Sequence, residues 1–397
     1  MQHNKLPRCS CSCLISPLRC RRVITIVATG YLSAMTGKYW IAGSYIHQNL
    51  LPLQLKKTLN AVCNGINGYM KKYQTLLYYC YSHIDNAEQF AADHLHFCKS
   101  LGLVGRIIVA DEGLNGTVSG THEACEAYMD AVHRDPRFAD TDFKIDEVHE
   151  LSFIKMHCRY KSEIVHSGLR DPKVIDPTKE TGKHLAPKEF MEMKDRDDVV
   201  ILDVRSNYEH NVGRFKNAVT LDIENFREFP EKINELAQYK DKKVLTYCTG
   251  GIKCEKASAL LLKEGFNDVY QLHGGIIKYG KEVGGKDFEG KCYVFDNRVT
   301  VDVNRVNPTV VSRCLNCGTT TSRMVNCANP ECNEHFTQCE ACGWELEGCC
   351  SNTCMSHPRK RSYDGTGYYV KVPQPVNVEK ISKRKHKSLT TNPTLYN

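Results

Sequence analysis

Val244-Leu245-Thr246-Tyr247-Cys248-Thr249-Gly250-Gly251-Ile252-Lys253-Cys254 begins as a short apolar run and ends in a loop with two glycines. The run up to Tyr247 predicts a buried strand. From Cys254 onward, a lysine-, alanine- and leucine-rich stretch stopped by Gly265 predicts a helix. Cys248 therefore stands where a strand hands over to a helix N-terminus. The backbone N–H groups of such a loop can turn inward, and the helix dipole adds partial positive charge. A thiolate is stabilised there, so Cys248 is expected to be a sulfur nucleophile with a depressed pKa. The competing reading is a buried, inert thiol. A cysteine-dependent phosphatase would use the same cradle, but it needs an arginine at the sixth position after the cysteine to grip phosphate with two parallel bonds. Cys254 occupies that position, which disfavours phosphatase chemistry.

Two further apolar runs flank the loop, Val199 to Val204 and Asp268 to Leu272, the second followed by Gly274-Gly275. Helical patterns lie between them, at Lys188 to Lys194, at Glu231 to Tyr239 and after Cys254. Alternating strands and helices predict an α/β domain with a parallel sheet. The loop of Thr249, Gly250, Gly251 and Ile252 would then lie beyond the carboxyl end of a strand, where open α/β sheets place their sites.

Asp203-Val204-Arg205, Tyr208-Glu209, Gly213-Arg214-Phe215, the Cys248 loop and Leu272-His273-Gly274-Gly275 together resemble a rhodanese domain. Tyr247 to Ser258, with Tyr78-Tyr79-Cys80-Tyr81 and Asp111-Glu112-Gly113-Leu114-Asn115-Gly116-Thr117 upstream, resembles one rhodanese-containing family, the oxygen-dependent tRNA uridine hydroxylases. The resemblance spans roughly residues 73 to 355. It implies formation of 5-hydroxyuridine at the wobble position and an essential Cys248. The family usually carries arginine where this chain has Lys253, and lysine keeps the charge without the planar fork. Cys254 matches a second cysteine of the family motif. It could resolve an oxidised or persulfurated Cys248, or pack in the first helical turn.

The N-terminal part of the resemblance reads as a ferredoxin-like (acylphosphatase-like) unit, βαββαβ. Strands are expected at Leu76 to Tyr81, Arg106 to Ala110, Thr117 to Ser119 and Phe153 to Val165, with helices at Asn86 to Ser100 and His122 to His133. A tight turn is expected over Asp111 to Gly116. In the last strand Lys155, His157, Arg159 and Lys161 alternate with Ile154, Met156, Cys158 and Tyr160. Period two places the four basic groups on one face, a candidate phosphate track or an ordinary solvated surface.

Nine of the 21 cysteines fall between Cys314 and Cys354. Cys314/Cys317, Cys327/Cys332, Cys339/Cys342 and Cys350/Cys354 have the spacings of thiolate pairs that give zinc a tetrahedral sulfur field. Cys349 is one cysteine beyond the eight that two such sites need, and His335 could substitute for a ligand. The pairing is not legible. The charge is divided as sharply. Residues 1–72 hold ten Lys or Arg and no acid, residues 73–354 hold 34 basic and 44 acidic residues, and residues 355–397 hold nine basic and two acidic. The middle is not broadly cationic, so RNA must meet local patches.

The expected organisation is an extension at 1–69, a ferredoxin-like domain at 73–170, a rhodanese-like domain at 183–290, a Cys-rich module at 310–356 and a basic tail at 357–397. The extension reads as an over-called start before Met70, or as an acid-poor targeting leader. A cytoplasmic enzyme is expected, or an organellar one if the leader is genuine. Its expected cofactors are structural zinc and molecular oxygen as co-substrate, with no nucleotide fingerprint. Its expected partner is tRNA, with no membrane and no stable protein partner. The rival readings are a sulfurtransferase carrying a persulfide on Cys248, and a non-enzymatic RNA-binding scaffold.

Overall fold

The computed structural model describes residues 25–28, 30–35, 38–41, 44–47 and 71–367. The chain divides into two compact units, Met1–Lys71 and Lys72–Asn397. In the first, strands β1 (Thr25–Ala28), β2 (Gly30–Met35), β3 (Lys38–Ile41) and β4 (Ser44–His47) pair antiparallel in sequential order. The start expected at Met70, the rest of the leader and the basic run Lys383 to Lys387 lie outside the described residues.

The second unit opens with β5 (Tyr73–Tyr81), α1 (Ala87–Ser100), β6 (Val104–Ala110), β7 (Gly113–Thr121), α2 (His122–Arg134) and β8 (Lys144–Val148). These form the βαββαβ unit, in the sheet order β8-β5-β7-β6, extended by β9 (Met156–Tyr160) beside β6. Phe90 and Cys98 of α1 and Cys125 and Tyr128 of α2 bury against Leu76, Tyr78, Val109 and Val118 of the sheet. Loss of water from this apolar surface is the main force holding the layers together.

Two expectations need correction here. The closing strand is β8, not Phe153 to Val165. Only Met156–Tyr160 of that stretch is strand, and it runs parallel to β6 at the opposite edge. The sequence Lys-Ile-Asp-Glu-Val hides β8 because its charges break any apolar alternation. Those charges are neutralised by partners elsewhere in the chain: Asp146 meets Lys281 and Arg298. The expected turn at Asp111 to Gly116 shrinks to Asp111-Glu112. Gly113 to Gly116 are strand, because β7 is paired along its length with β5 and β6 and its backbone groups are satisfied on both sides.

The next domain contains β10 (Lys183–Leu185), α3 (Pro187–Met193), β11 (Val199–Asp203), β12 (Gly213–Phe215), β13 (Val219–Thr220), β14 (Lys243–Tyr247), α4 (Ile252–Lys263), β15 (Asp268–Leu272), α5 (Gly275–Val283) and β16 (Phe288–Gly290). Its five-stranded sheet has the order β10-β15-β14-β11-β13 and is parallel throughout. Successive residues of β14 face opposite layers. Val244 packs with Phe229, Ala257 and Leu261, while Leu245 packs with Phe215, Ile276 and Tyr279. The helix expected at Glu231 to Tyr239 is a short α-turn, Phe229–Lys232, running into a 3-10 segment, Ile233–Tyr239.

Beyond it, β17 (Cys292–Tyr293) pairs with β18 (Thr300–Val301), and β19 (Met324–Asn326) with β20 (His335–Thr337). The latter pair surrounds a small core of Val325, Phe336 and Cys349. Among the described residues no helix is long and apolar enough to cross a membrane.

Candidate active site

Cys248 follows β14, at the carboxyl end of the sheet's central strand. Gly251 caps α4 with φ 103°, a conformation that favours glycine, and its N–H donates to Cys248 Sγ at 3.2 Å. The sulfur is buried, and burial alone would raise its pKa. The Cys254 thiol donating to it, the Lys253 charge and the N–H groups of Lys253 and Cys254 outweigh that effect and lower it to about 7. Burial and the neighbouring Cys248 sulfur push the Cys254 thiol upward, so Cys254 remains the proton donor of the pair. A nucleophile available at neutral pH results.

The loop rests on a fully buried frame. Arg205 reaches Asp203 through two bonds, 2.9 and 2.7 Å, and the carbonyl of Gly213 at 2.7 Å. The Tyr247 hydroxyl donates to Asp203 at 2.6 Å, fixing the residue next to Cys248. Burial would raise the Asp203 pKa, but Arg205 and Tyr247 hold it below the ordinary carboxylate value. Lys253 does not point an unpaired charge into the loop. Its ammonium pairs with the buried Glu209 and lies 5.5 Å over the Phe295 ring. The Lys253 charge is therefore held by Glu209 and not left free for another anion.

The ferredoxin-like domain closes over the same loop. A Cβ on Gly250 would stand 2.9 Å from Leu77 Cδ2, and one on Gly251 would stand 2.9 Å from Tyr79 Oη. Tyr79 donates to Glu255 Oε1 at 2.8 Å. Glu255 also meets His184 at 2.8 Å and Gln271 at 2.9 Å, and these partners hold its pKa down against burial. Lys256, buried, bridges to Glu112 at 2.8 Å and Glu163 at 2.6 Å. Lys144 from β8, also buried, lies 5.0 Å over the Tyr79 ring. Its pKa is lowered by burial, with Asp142 opposing. A cavity of about 30 Å³ between the domains is lined by Leu77, Thr117, Thr249 and Phe295 among others. Tyr79, Glu255 and Lys256 stand inside the sequence motifs, yet nothing in their spacing reveals that they face one another. Lys144 carries no local signal of its role, and Glu209, although it stands in the Tyr208-Glu209 motif, is not marked there as the partner of Lys253.

At the far edge of the ferredoxin-like sheet, Lys155, Arg159 and Lys161 are exposed and His157 is half-buried beside them. Arg106 lies opposite His157 in the register of β6 and β9. Burial lowers the His157 pKa, and the charges of Arg159, Arg106, Lys155 and Lys99 lower it further. The apolar alternation expected here is only half met. Met156 and Cys158 are buried, but Ile154 is 60 % and Tyr160 41 % exposed, because the strand covers only the middle of the stretch.

The eight cysteines collect into two sets, Cys314/Cys317/Cys339/Cys342 and Cys327/Cys332/Cys350/Cys354, with sulfurs within 4.8 Å of one another in each. The sets interleave along the chain. Sulfur separations of 3.6 Å (Cys317 to Cys339), 3.8 Å (Cys332 to Cys350) and 3.6 Å (Cys350 to Cys354) match the edge of about 3.8 Å that a tetrahedron with zinc–sulfur bonds of about 2.3 Å requires. Cys349 is buried in the module's core. His335 joins neither set: its ring stacks on Tyr208 at 5.1 Å, and its Nδ1 lies 3.4 Å from the Tyr293 hydroxyl.

Three family models match, described as a UPF0176 acylphosphatase-like domain over residues 73–164, a rhodanese-like domain over 186–282 and a rhodanese C-terminal region over 289–355. Relatives named tRNA uridine(34) hydroxylase cover most of the chain. That of Cytophaga hutchinsonii is 65 % identical over 302 residues, 76 % of this chain and 96 % of its own length. Those of Streptococcus pneumoniae (strain Hungary19A-6) and Streptococcus sanguinis (strain SK36) are 52 % and 51 % identical over 297 residues, each 73 % of this chain and 90 % of their own.

Proposed function

From membership of the tRNA uridine(34) hydroxylase family, to which this chain belongs, we propose that it hydroxylates uridine 34 of tRNA to 5-hydroxyuridine, with Cys248 as the essential sulfur. The observation that carries the role of Cys248 is its place between the central strand β14 and the N-terminus of α4, where the Gly251 N–H donates to its Sγ at 3.2 Å; Cys254 and the Lys253 charge lower its pKa as well. Addition of the thiolate to C6 of uracil would form an S–C bond and move the C5–C6 electron pair onto C5. That carbon would attack molecular oxygen; reduction of the resulting peroxide to hydroxyl and water takes two electrons from an external reductant of the thiol class, and loss of the C5 proton then breaks the S–C bond and returns the thiolate. Cys254 keeps its proton and serves as the hydrogen-bond donor that poises Cys248. Cys248 is 2 % exposed, so the rim of Leu77 and Tyr79 withdraws to admit an extruded base.

The basic edge of Arg106, Lys155, His157, Arg159 and Lys161 supports a phosphate-tracking role for tRNA. The two four-cysteine sets fit zinc, which would be held by thiolates alone with no open position, as in structural sites. Bound there, zinc would fix the fold of the module and supply no chemistry to the reaction.

The test is mass spectrometry of tRNA nucleosides from cells lacking the gene, rescued with intact protein or with Cys248→Ser. Restoration of 5-hydroxyuridine by intact protein alone is the expected result. Hydroxyuridine levels independent of the gene would refute the hydroxylase role. Thiosulfate-to-cyanide transfer at an enzymatic rate would then promote the sulfurtransferase alternative.

A further inference from the structure

Phe295 is 46 % exposed, although the residues on either side of it, Val294 and Asp296, are 5 % and 4 % exposed. The turn that carries it is rigidly tied. Val294 N–H donates to the Val299 carbonyl at 2.8 Å, and Asn297 N–H donates to the Ser152 carbonyl at 2.9 Å. Asp296 accepts two bonds from the Arg298 guanidinium, at 2.8 and 2.6 Å, and Arg298 reaches on to Asp146 of β8 at 2.9 Å. A large apolar ring is thus fixed partly in water by a backbone that both domains hold.

Its neighbours place it beside the loop that carries Cys248. Phe295 and Thr249, the residue after Cys248, line the same cavity, and Thr249 Oγ1 donates to the Tyr293 carbonyl at 3.3 Å. Lys253, the charge that lowers the Cys248 pKa, lies over the Phe295 ring. Tyr293 meets the ring edge-on, with centroids 5.2 Å apart at 81°. The remaining exposed surface of the ring can meet a flat partner.

We propose that Phe295 is a stacking platform for a single-stranded base next to the target uridine, holding the anticodon loop so that uridine 34 can swing toward Cys248. This rests on the hydroxylase reading and assigns it a positioning residue. Proteins that read unpaired nucleotides stack them on aromatic side chains, and every base has a face suited to that contact.

The test has two arms, on the full chain. In the first, an anticodon stem-loop carrying the fluorescent base 2-aminopurine on either side of nucleotide 34 is titrated with intact protein, Phe295→Ala and Phe295→Trp. Stacking on the ring quenches the probe at one of the two positions. Quenching is expected with intact protein and Phe295→Trp and lost with Phe295→Ala, together with roughly a 5- to 100-fold loss of affinity. In the second arm, 5-hydroxyuridine formation is followed in cells carrying each variant, and Phe295→Ala alone is expected to fall. Equal quenching and affinity for intact protein and Phe295→Ala would overturn the proposal, as would a Phe295→Trp as defective as Phe295→Ala. Because the binding arm needs no turnover, loss of hydroxyuridine dependence on the gene would refute the hydroxylase reading separately. A melting temperature shared by the three proteins excludes misfolding as the cause of lost binding.

Discussion

Tyr79 Oη lies 2.8 Å from Glu255 Oε1 and donates to it from strand β5 of one domain into the first turn of the helix that follows Cys248 in the other. The bond joins a buried carboxylate to the rim over the nucleophile. Tyr79→Phe keeps the ring and removes the donor. A hydrogen bond to a charged group contributes about 1.5–3 kcal/mol, so a loss of that order in unfolding free energy is expected. Hydroxyuridine formation should fall as well, while Cys248→Ser remains as stable as the intact chain. Denaturant titration and nucleoside mass spectrometry read the two effects.

The same carboxylate predicts a pH dependence. The folded Glu255 has a lowered pKa, so its stabilisation is present above the unfolded glutamate value and lost as pH falls through the lowered folded value. His184, its partner, has a raised pKa, through its bond to Glu255 with burial opposing. Its contribution is present below the unfolded histidine value and lost as pH rises through the folded one. Melting temperature should therefore peak between these limits, and His184→Gln should flatten the alkaline side. A His184→Gln curve parallel to that of the intact chain would exclude the pair as the cause.

Cys254 donates to Cys248, so Cys254→Ala should raise the Cys248 pKa above about 7 without removing the nucleophile. Lys253→Met should do the same by removing the nearby charge. Thiolate absorbance measured against Cys248→Ser at each pH gives the midpoint. If Cys254 instead resolves an oxidised Cys248, Cys254→Ala would leave the midpoint in place and trap an oxidised sulfur visible by mass.

Much of the α/β domain can be read from sequence because its parallel strands are continuous apolar runs, as at Val199 to Leu202 and Val244 to Leu245, and its reactive loop is marked by Gly250-Gly251. What cannot be read is contact between domains. Lys144, Asp146 and Lys256 look like surface charges, and only the folded chain shows Asp146 paired with Lys281 and Lys256 buried between Glu112 and Glu163. The strand β8 is illegible for the same reason: local periodicity reports one sheet face, whereas this edge is satisfied by ion pairs from another domain. The cysteine spacings gave the ligand pairs but not their partners, because an interleaved pairing is a property of the tertiary fold.

Lys256 gives the stability prediction. Its side chain is 1 % exposed and Glu163 3 %, so Lys256→Met leaves a buried carboxylate without its cation. Removing one partner of such a pair costs about 3–5 kcal/mol, whereas replacing both costs much less. The double variant Lys256→Met/Glu163→Gln should therefore recover stability relative to Lys256→Met. Additive losses across the cycle would show that the two side chains are not coupled.

The interleaved cysteine sets predict metal content and its consequences. Elemental analysis of the purified chain should find two zinc ions per molecule. Cys317→Ser should remove one and leave the other, because Cys317 shares a site with Cys339 while Cys332 and Cys350 belong to the second. Cys349→Ser should leave both, since Cys349 belongs to the module's core and to neither set. Folding and ligation are linked in small thiolate modules, so chelation should unfold this module first. Tyr208 and His335 stack across its boundary with the rhodanese-like domain, and the Tyr293 ring stands between that stack and Phe295. Chelated protein should then lose tRNA affinity while the Cys248 thiolate midpoint stays near 7, because the groups that set the midpoint all lie in the loop and α4. A midpoint that moved with metal removal would show that the module acts on the nucleophile itself.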